Sequence, residues 1–225
     1  MDKIKKFYDS NNFPGLYTSE SLDYHMDGIR NPYLKVIDRA IRSSNAKTVL
    51  DLGCGTGFIT NFFAKKYPDI QFTGVDFASS IDHARKIAKI NNSSNVKFVK
   101  KDILNFDNQK KFDLVICQGV LHHIPDHTNA VKRILSLVKN DLIIGLYHPM
   151  GKVFKKIFKI NYGDKVLHDD QENHPYETAF TKNGVKNMFS KFEISSSYPG
   201  WLIRLRSLFN YRNGGLVTYY MTRRK

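Results

Sequence analysis

Asp51-Leu52-Gly53-Cys54-Gly55-Thr56-Gly57 is the stretch whose residue types and spacing carry the most chemistry. Three glycines at alternate positions permit a backbone with φ > 0 and let a ligand lie directly against the main chain. The segment behind them, 58–66, reads as a helix, whose N-terminus offers free N–H groups and a partial positive charge. An acid two residues before the first glycine suits a ligand with a cationic or amine-bearing part better than a pyrophosphate. The G-x-G-x-G spacing also departs from the G-x-G-x-x-G of dinucleotide-binding turns. Taken alone, the stretch is also compatible with a tight strand-to-helix turn that binds nothing.

Two further carboxylates fall at the ends of strand-like segments. Asp76 lies 19 residues after Gly57, where a carboxylate can accept from both hydroxyls of a ribose. Its bland alternative is an acid in the first turn of the next helix. Asp102 can accept from an exocyclic adenine amine with Ile103 over the ring, or simply close a turn. Histidines near the same edge, His122, His123, His148 and His174, are candidates for moving a proton, because histidine titrates near neutrality. His123 and His148 are the first choices as general base. His174 follows Asp169, Asp170 and Glu172, acids that can raise its pKa or bind an amine.

These residues must be held by elements, and the apolar periodicity supplies them. Strand-like segments are 48–52, 71–76, 96–99, 112–117 and 141–147. Helix-like segments are 32–43, 58–66, 79–90, 128–139 (starting at Thr128) and about 182–190. Asn31 and Thr181 read as helix caps, with Pro32 at a first helical position. Strands alternating with helices imply right-handed βαβ units and a parallel sheet covered on both faces. Ligands of such sheets bind at the carboxyl ends of the strands. Two late strands, 192–198 and 216–222, would complete the sheet.

The segment closing strand four, Cys117-Gln118-Gly119-Val120-Leu121-His122-His123-Ile124-Pro125-Asp126, sharpens the reading. In order, the Asp51 glycine stretch, Asp76, Asp102 and Leu-His-His-Ile-Pro-Asp resemble the small-molecule class I methyltransferases that use S-adenosylmethionine (SAM). The resemblance covers about residues 48–147. It implies an α/β fold with a doubly wound, mostly parallel seven-stranded sheet, the last strand antiparallel. It further implies ribose binding by Asp76 with Phe77 beside it, and adenine contacts from Asp102 and Ile103. The methionine end would lie near Asp51, Gly53, Cys54, Gly55 and Gly57, and Gln118 and Gly119 would line the sulfonium pocket. Tyr17, His122, Tyr147 and His174 are the candidates for contact with the acceptor. The strand-four tetrad is not the Asn/Asp-Pro-Pro-Tyr/Phe of amino-methylating base enzymes, neither cysteine follows a proline, and Gln118 is not a metal-binding carboxylate. Base-methylating and metal-assisted variants are thereby disfavoured.

Composition bounds the rest. The chain has 225 residues and 41% hydrophobic content, and its mean hydropathy is −0.41. Those values suit one soluble globular domain. No membrane span or signal peptide is evident, and two cysteines in strand-end positions read as reduced thiols of a cytoplasmic protein. They also leave too few soft ligands for a usual zinc site. Thirty-five Lys+Arg against 21 Asp+Glu give a net charge of +14. That charge is compatible with nucleic acid, an anionic membrane surface or an anionic substrate, but the lysines are scattered.

The flanks are less regular. Residues 1–46 form a helical, aromatic-rich leader, either a lid over a pocket or a flap on the surface. Residues 150–180 read as an insertion on the acceptor side. Within it, Val153, Phe154, Ile157 and Phe158 interleave with Lys152, Lys155, Lys156 and Lys159, and 201–209 repeats that character. Each is a lid helix or a surface that meets anionic lipid. The favoured function is methylation of a small-molecule acceptor, with apolar or lipid-like acceptors among the candidates. The alternatives are an RNA or protein methyltransferase, a nucleotide-dependent oxidoreductase and a non-catalytic SAM-binding protein.

Overall fold

In the computed structural model, residues 2–26, 32–147, 178, 180–198 and 216–224 are described. Three helices open the chain: α1 (Asp2–Ser10), α2 (Ser19–Met26) and α3 (Pro32–Ser44). The alternating part follows as β1 (Thr48–Leu52), α4 (Phe58–Lys66), β2 (Gln71–Asp76), α5 (Ile81–Ile90), β3 (Val96–Lys100) and β4 (Phe112–Gln118). After a 3-10 turn at Leu121–His123 come α6 (His127–Leu137), β5 (Val138–Tyr147), α7 (Lys182–Met188), β6 (Phe192–Tyr198) and β7 (Leu216–Arg223). The seven strands lie in the order β3-β2-β1-β4-β5-β7-β6. Pairing is parallel from β3 to β5, while β7 runs antiparallel to both β5 and β6.

Alternation along the central strands explains why both faces are covered. Val49, Leu114, Ile116 and Ile143 turn to one side, where they pack with Leu34 and Ile37 of α3 and Phe62 and Phe63 of α4. Leu50, Leu52, Val115, Leu142 and Ile144 turn to the other, against Val131, Ile134 and Leu137 of α6 and Val185 of α7. Successive strand side chains point to opposite faces, so near-continuous apolar runs are what a sheet buried on both sides requires.

Several boundaries differ from the sequence expectation. Helix α6 begins at His127, one residue before Thr128, because Asp126 is the N-cap and its Oδ1 accepts from Asn129 N at 3.1 Å. It ends at Leu137 rather than 139, and β5 starts at once at Val138. The buried Val138 pairs with Phe112, extending the β4 ladder past an irregularity between Phe112 and Leu114. Helix α5 starts at Ile81, two residues later than expected. Thr181 does cap α7, accepting from Gly184 N at 3.0 Å. Asn31, most of the 150–180 segment and all of 201–209 lie outside the described residues.

Candidate active site

The carboxyl ends of β1, β2, β3, β4 and β5 open into a cavity of about 710 Å³. Its central wall is the loop after β1. Gly53 N and Cys54 N both donate to Val75 O of β2, at 2.7 and 3.1 Å, which pins the loop to the neighbouring strand. Gly53 (φ +74) has no room for a side chain, because a Cβ would sit 2.4 Å from Val120 Cγ2. At Gly55 (φ +54) a Cβ would lie 2.2 Å from the Phe13 carbonyl oxygen. Both positions combine a left-handed backbone with a close approach, so only glycine fits. Gly57, the N-cap of α4, faces Ala84 of α5 and Phe98, and does not line the cavity.

Asp51 is buried at the cavity floor and accepts from Thr60 Oγ1 at 2.6 Å. Loss of solvent pushes its pKa up to about 7, opposed by the Thr60 hydrogen bond and aided by the nearby Asp76 charge. Asp76 closes β2. Its Oδ2 accepts from Gly55 N and its Oδ1 from Ala78 N, each at 2.8 Å. Burial raises its pKa, and those backbone hydrogen bonds oppose the shift. The Phe77 N–H also acts on this carboxylate, and a carboxylate has about four acceptor sites, so acceptor capacity remains for a ligand hydroxyl. Asp102 does close a turn, Oδ1 accepting from Leu104 N at 2.8 Å, and with Ile103 it also lines the cavity. Phe77, Cys54, Gln118 and Gly119 line the same cavity.

The leader is the largest addition to the sequence reading. Phe13 O accepts from Thr56 N at 2.8 Å and Gly15 O from Thr56 Oγ1 at 3.0 Å. Asp9 accepts from both the N–H and hydroxyl of Ser79, each at 2.9 Å. Those hydrogen bonds hold the Asp9 carboxyl below the usual range, chiefly through the Ser79 backbone. Thus anchored, α1 lays Ile4, Lys5 and Tyr8 along the cavity wall near β2 and β3. The Tyr8 ring meets Phe77 at 6.1 Å, His123 at 5.9 Å and Phe13 at 5.3 Å. No single side chain in 1–15 announces this docking; the aromatic density of the segment is its only sequence signal. Tyr33 and Leu34 at the start of α3, with Ile59 of α4 and Leu216 of β7, make an apolar wall toward β5.

The remaining candidates separate. His123 and Tyr147 line the cavity, their rings 6.0 Å apart. His122 is fully buried behind them, with its ring 4.0 Å from Tyr147, and is not part of the lining. Tyr17 does not reach the cavity either. It packs edge-on against Phe58 and its hydroxyl accepts from Asn61 Nδ2 at 2.8 Å, so its aromatic ring serves to dock the leader onto α4. His148 and His174 lie outside the described residues. Among the described residues, no group of three His, Cys, Asp or Glu side chains is placed to hold a metal ion, and no helix is long and apolar enough to cross a membrane.

The donor set fits an adenosyl ligand. There is a glycine cradle that any Cβ would fill, a carboxylate at the end of β2, and an apolar residue after an acid at β3. A methyltransferase-domain family model matches residues 43–192. (S)-Coclaurine N-methyltransferase of Papaver somniferum is 29% identical over 141 residues, which is 61% of this chain and 39% of the relative. Malonyl-[acyl-carrier protein] O-methyltransferase of Acetivibrio thermocellus is 31% identical over 115 residues, 51% of this chain and 39% of the relative. The chain thus matches about two-fifths of the length of either one. Among solved structures, magnesium protoporphyrin IX methyltransferase of Synechocystis, with bound S-adenosylhomocysteine (SAH), superposes with a TM-score of 0.59. That alignment is 17% identical and covers 92% of this chain and 83% of the other, and shows the shared fold. With two-thirds of its length matched by the family model and the same Rossmann-like sheet, the chain belongs to the family of class I SAM-dependent methyltransferase domains.

Proposed function

We propose that this chain transfers a methyl group from SAM to a small-molecule acceptor. The observation that carries the reading is the Asp76 carboxylate bonded to Gly55 N–H, with both on the wall of one cavity. In this reading Asp76 takes the ribose hydroxyls, Asp102 and Ile103 the adenine, and the Gly53–Gly55 backbone with Asp51 the methionine end. Bound there, SAM supplies an electrophilic methyl group on a sulfonium, open to in-line displacement. The protein's part is to orient the acceptor and exclude water. The leader supports the exclusion, because α1 and Phe13 roof the cavity. His123 is the proposed base where the acceptor must lose a proton, since it faces the cavity beside Tyr147.

The acceptor wall of Tyr33, Leu34, Ile59, Tyr147 and Leu216 is apolar and aromatic, which favours an acceptor of that character. The matched relatives include enzymes named for an alkaloid and for an acyl carrier. Contact of the basic 152–159 stretch with anionic lipid is part of the same proposal. It is abandoned if Lys→Glu changes at 155, 156 and 159 leave vesicle binding intact.

The test is a thermal melt with SAM, SAH, NAD and ATP. Either adenosyl ligand at 100 times its Kd adds about 2.7 kcal/mol. The expected result is a shift with SAM and SAH alone, abolished in Asp76→Ala. No shift with either at millimolar concentration, in protein freed of carried-over ligand, would overturn the reading.

A further inference from the structure

Three adjacent strands contribute one residue each to a row across the sheet, and its Gln118 end lines the cavity. Gln118 at the end of β4 pairs in register with Gly145 of β5, and Gly145 pairs with Thr218 of β7. The Gln118 side chain lies flat across Gly145, where a Cβ would come within 2.5 Å of its amide atoms. It thereby reaches the hydroxyl of Thr218, a residue 100 positions later. Nε2 donates to Thr218 Oγ1 at 2.8 Å, and that hydroxyl is 3.2 Å from Oε1. Thr218 is completely buried, whereas Gln118 lines the cavity.

We propose that Thr218 is a positioning residue, which fixes through Gln118 the amide facing the methyl-bearing end of the cofactor; this rests on the SAM reading above. Position supports it. Asp76 and Asp102 place the adenosine toward β2 and β3, so the cavity's β4–β5 side is left for the sulfonium and the acceptor. Gln118 and Tyr147 stand on that side. The tie crosses the intervening β5 and still leaves Gln118 on the cavity wall. The Thr218 hydroxyl meets both amide atoms, Nε2 at 2.8 Å and Oε1 at 3.2 Å, and the second lone pair of Oε1 is the acceptor toward a polarised methyl group, a weak C–H···O contact. Loss of the Thr218 hydroxyl frees the amide to leave that position. The group that reads the methyl is Gln118; Thr218 and the bare backbone of Gly145 set its orientation.

The readout is the ratio of SAM to SAH affinity, measured by titration calorimetry on the full chain. Thr218→Val is nearly isosteric and removes only the hydroxyl partner. The expected result is a ratio moved toward SAH by about two- to tenfold, the range of one oriented hydrogen bond. Thr218→Ser keeps the wild-type ratio. Gln118→Met gives the same shift as Thr218→Val, and adding Thr218→Val to it changes nothing more, because one residue acts through the other. An unchanged ratio in Thr218→Val, or additive shifts in the double variant, overturns the proposal. If Thr218→Val fails to fold, the comparison of Gln118→Met with wild type still decides, since an unchanged ratio there removes the group through which Thr218 would act. Failure of wild-type protein to bind either ligand would instead overturn the cofactor reading itself.

Discussion

Thr56 N–H donates to the Phe13 carbonyl at 2.8 Å, so the leader closes onto the very loop that forms the cavity wall. The contact is backbone to backbone, and the same oxygen occupies the space where a side chain at position 55 would begin. The two segments therefore constrain one another. The loop can hold its left-handed turn only with glycine, and the leader can dock only over that glycine.

Gly55→Ala tests this coupling directly. A non-glycine residue at φ +54 costs about 1–2 kcal/mol, and the methyl group must also displace Phe13. The expected loss is about 2 kcal/mol or more in thermal melts. Trypsin should cut after Lys5 and Lys6 sooner than in wild type. A variant with wild-type melting and proteolysis would show that the leader does not depend on the loop.

Stability of the ligand-free chain should fall as pH rises from about 4 to about 7. Asp51 titrates at about 7 when folded, because it is buried, whereas an unfolded aspartate titrates near 3.9. Between those values the native state holds a proton that the unfolded chain has released, so stability falls with each pH step and levels off above 7. The size is a few kcal/mol, since each tenfold difference in proton affinity between the two states is worth about 1.4 kcal/mol. Urea unfolding of Asp51→Asn should give a much flatter pH profile. A smaller slope of the same sign remains from Asp76, which burial also raises. A slope in the variant equal to that of wild type would remove Asp51 as the cause. A cationic ligand beside Asp51 favours its ionised form, so SAM affinity should rise through the same pH window.

His123→Ala separates base catalysis from binding. With an acceptor that must lose a proton, kcat should fall by about 10²–10⁴-fold while the KM for SAM stays near its wild-type value. With an acceptor already carrying a lone pair and no proton to lose, the same variant should turn over normally. Equal losses on both classes of acceptor would assign His123 to packing against Tyr8 and Tyr147 rather than to proton transfer.

Away from the cavity, Asp38 of α3 is buried and accepts from Lys66 Nζ and Tyr67 Oη, each at 2.6 Å, and from Arg42 at 2.8 Å. Asp38→Ala would remove the acceptor shared by three donors, at a cost of about 1–2 kcal/mol, because Arg42 and Lys66 can turn to water. Because α3 carries Tyr33 and Leu34 on the acceptor wall, SAH binding measured well below the melting point should be spared. Lost SAH binding in a folded variant would mean that α3 sets the cofactor half as well.

The local half of the site is legible in the sequence and the long-range half is not. Asp51, the glycines and Asp76 declare themselves because strand ends, turn glycines and helix starts are written in nearby residues. Helix α2, by contrast, has little apolar asymmetry, and is held by contacts such as Ser19 Oγ to Asn91 Oδ1 at 2.6 Å. Val138 reads as helical because its neighbours Ile134 and Leu135 are, yet pairing with Phe112 decides its state. Tyr17 is misplaced for a similar reason: an aromatic near a turn signals burial without saying against what. The Phe13–Thr56 contact carries no side-chain signature at all, and the Gln118–Thr218 pair spans too much chain for any pattern to join.

The insertion of β7 between β5 and β6 has a consequence for synthesis. The half of the cavity from β1 to Ile103 can form from neighbouring segments as they leave the ribosome. Its other half waits for Leu216, because Tyr147 pairs with Leu216 only after 68 intervening residues. Until then β5 presents the open, apolar edge of Leu142 to Leu146 to the cell, a template for the wrong strand. A nascent chain would thus complete the β1–β3 side of the cavity early and the side lined by Leu216 late.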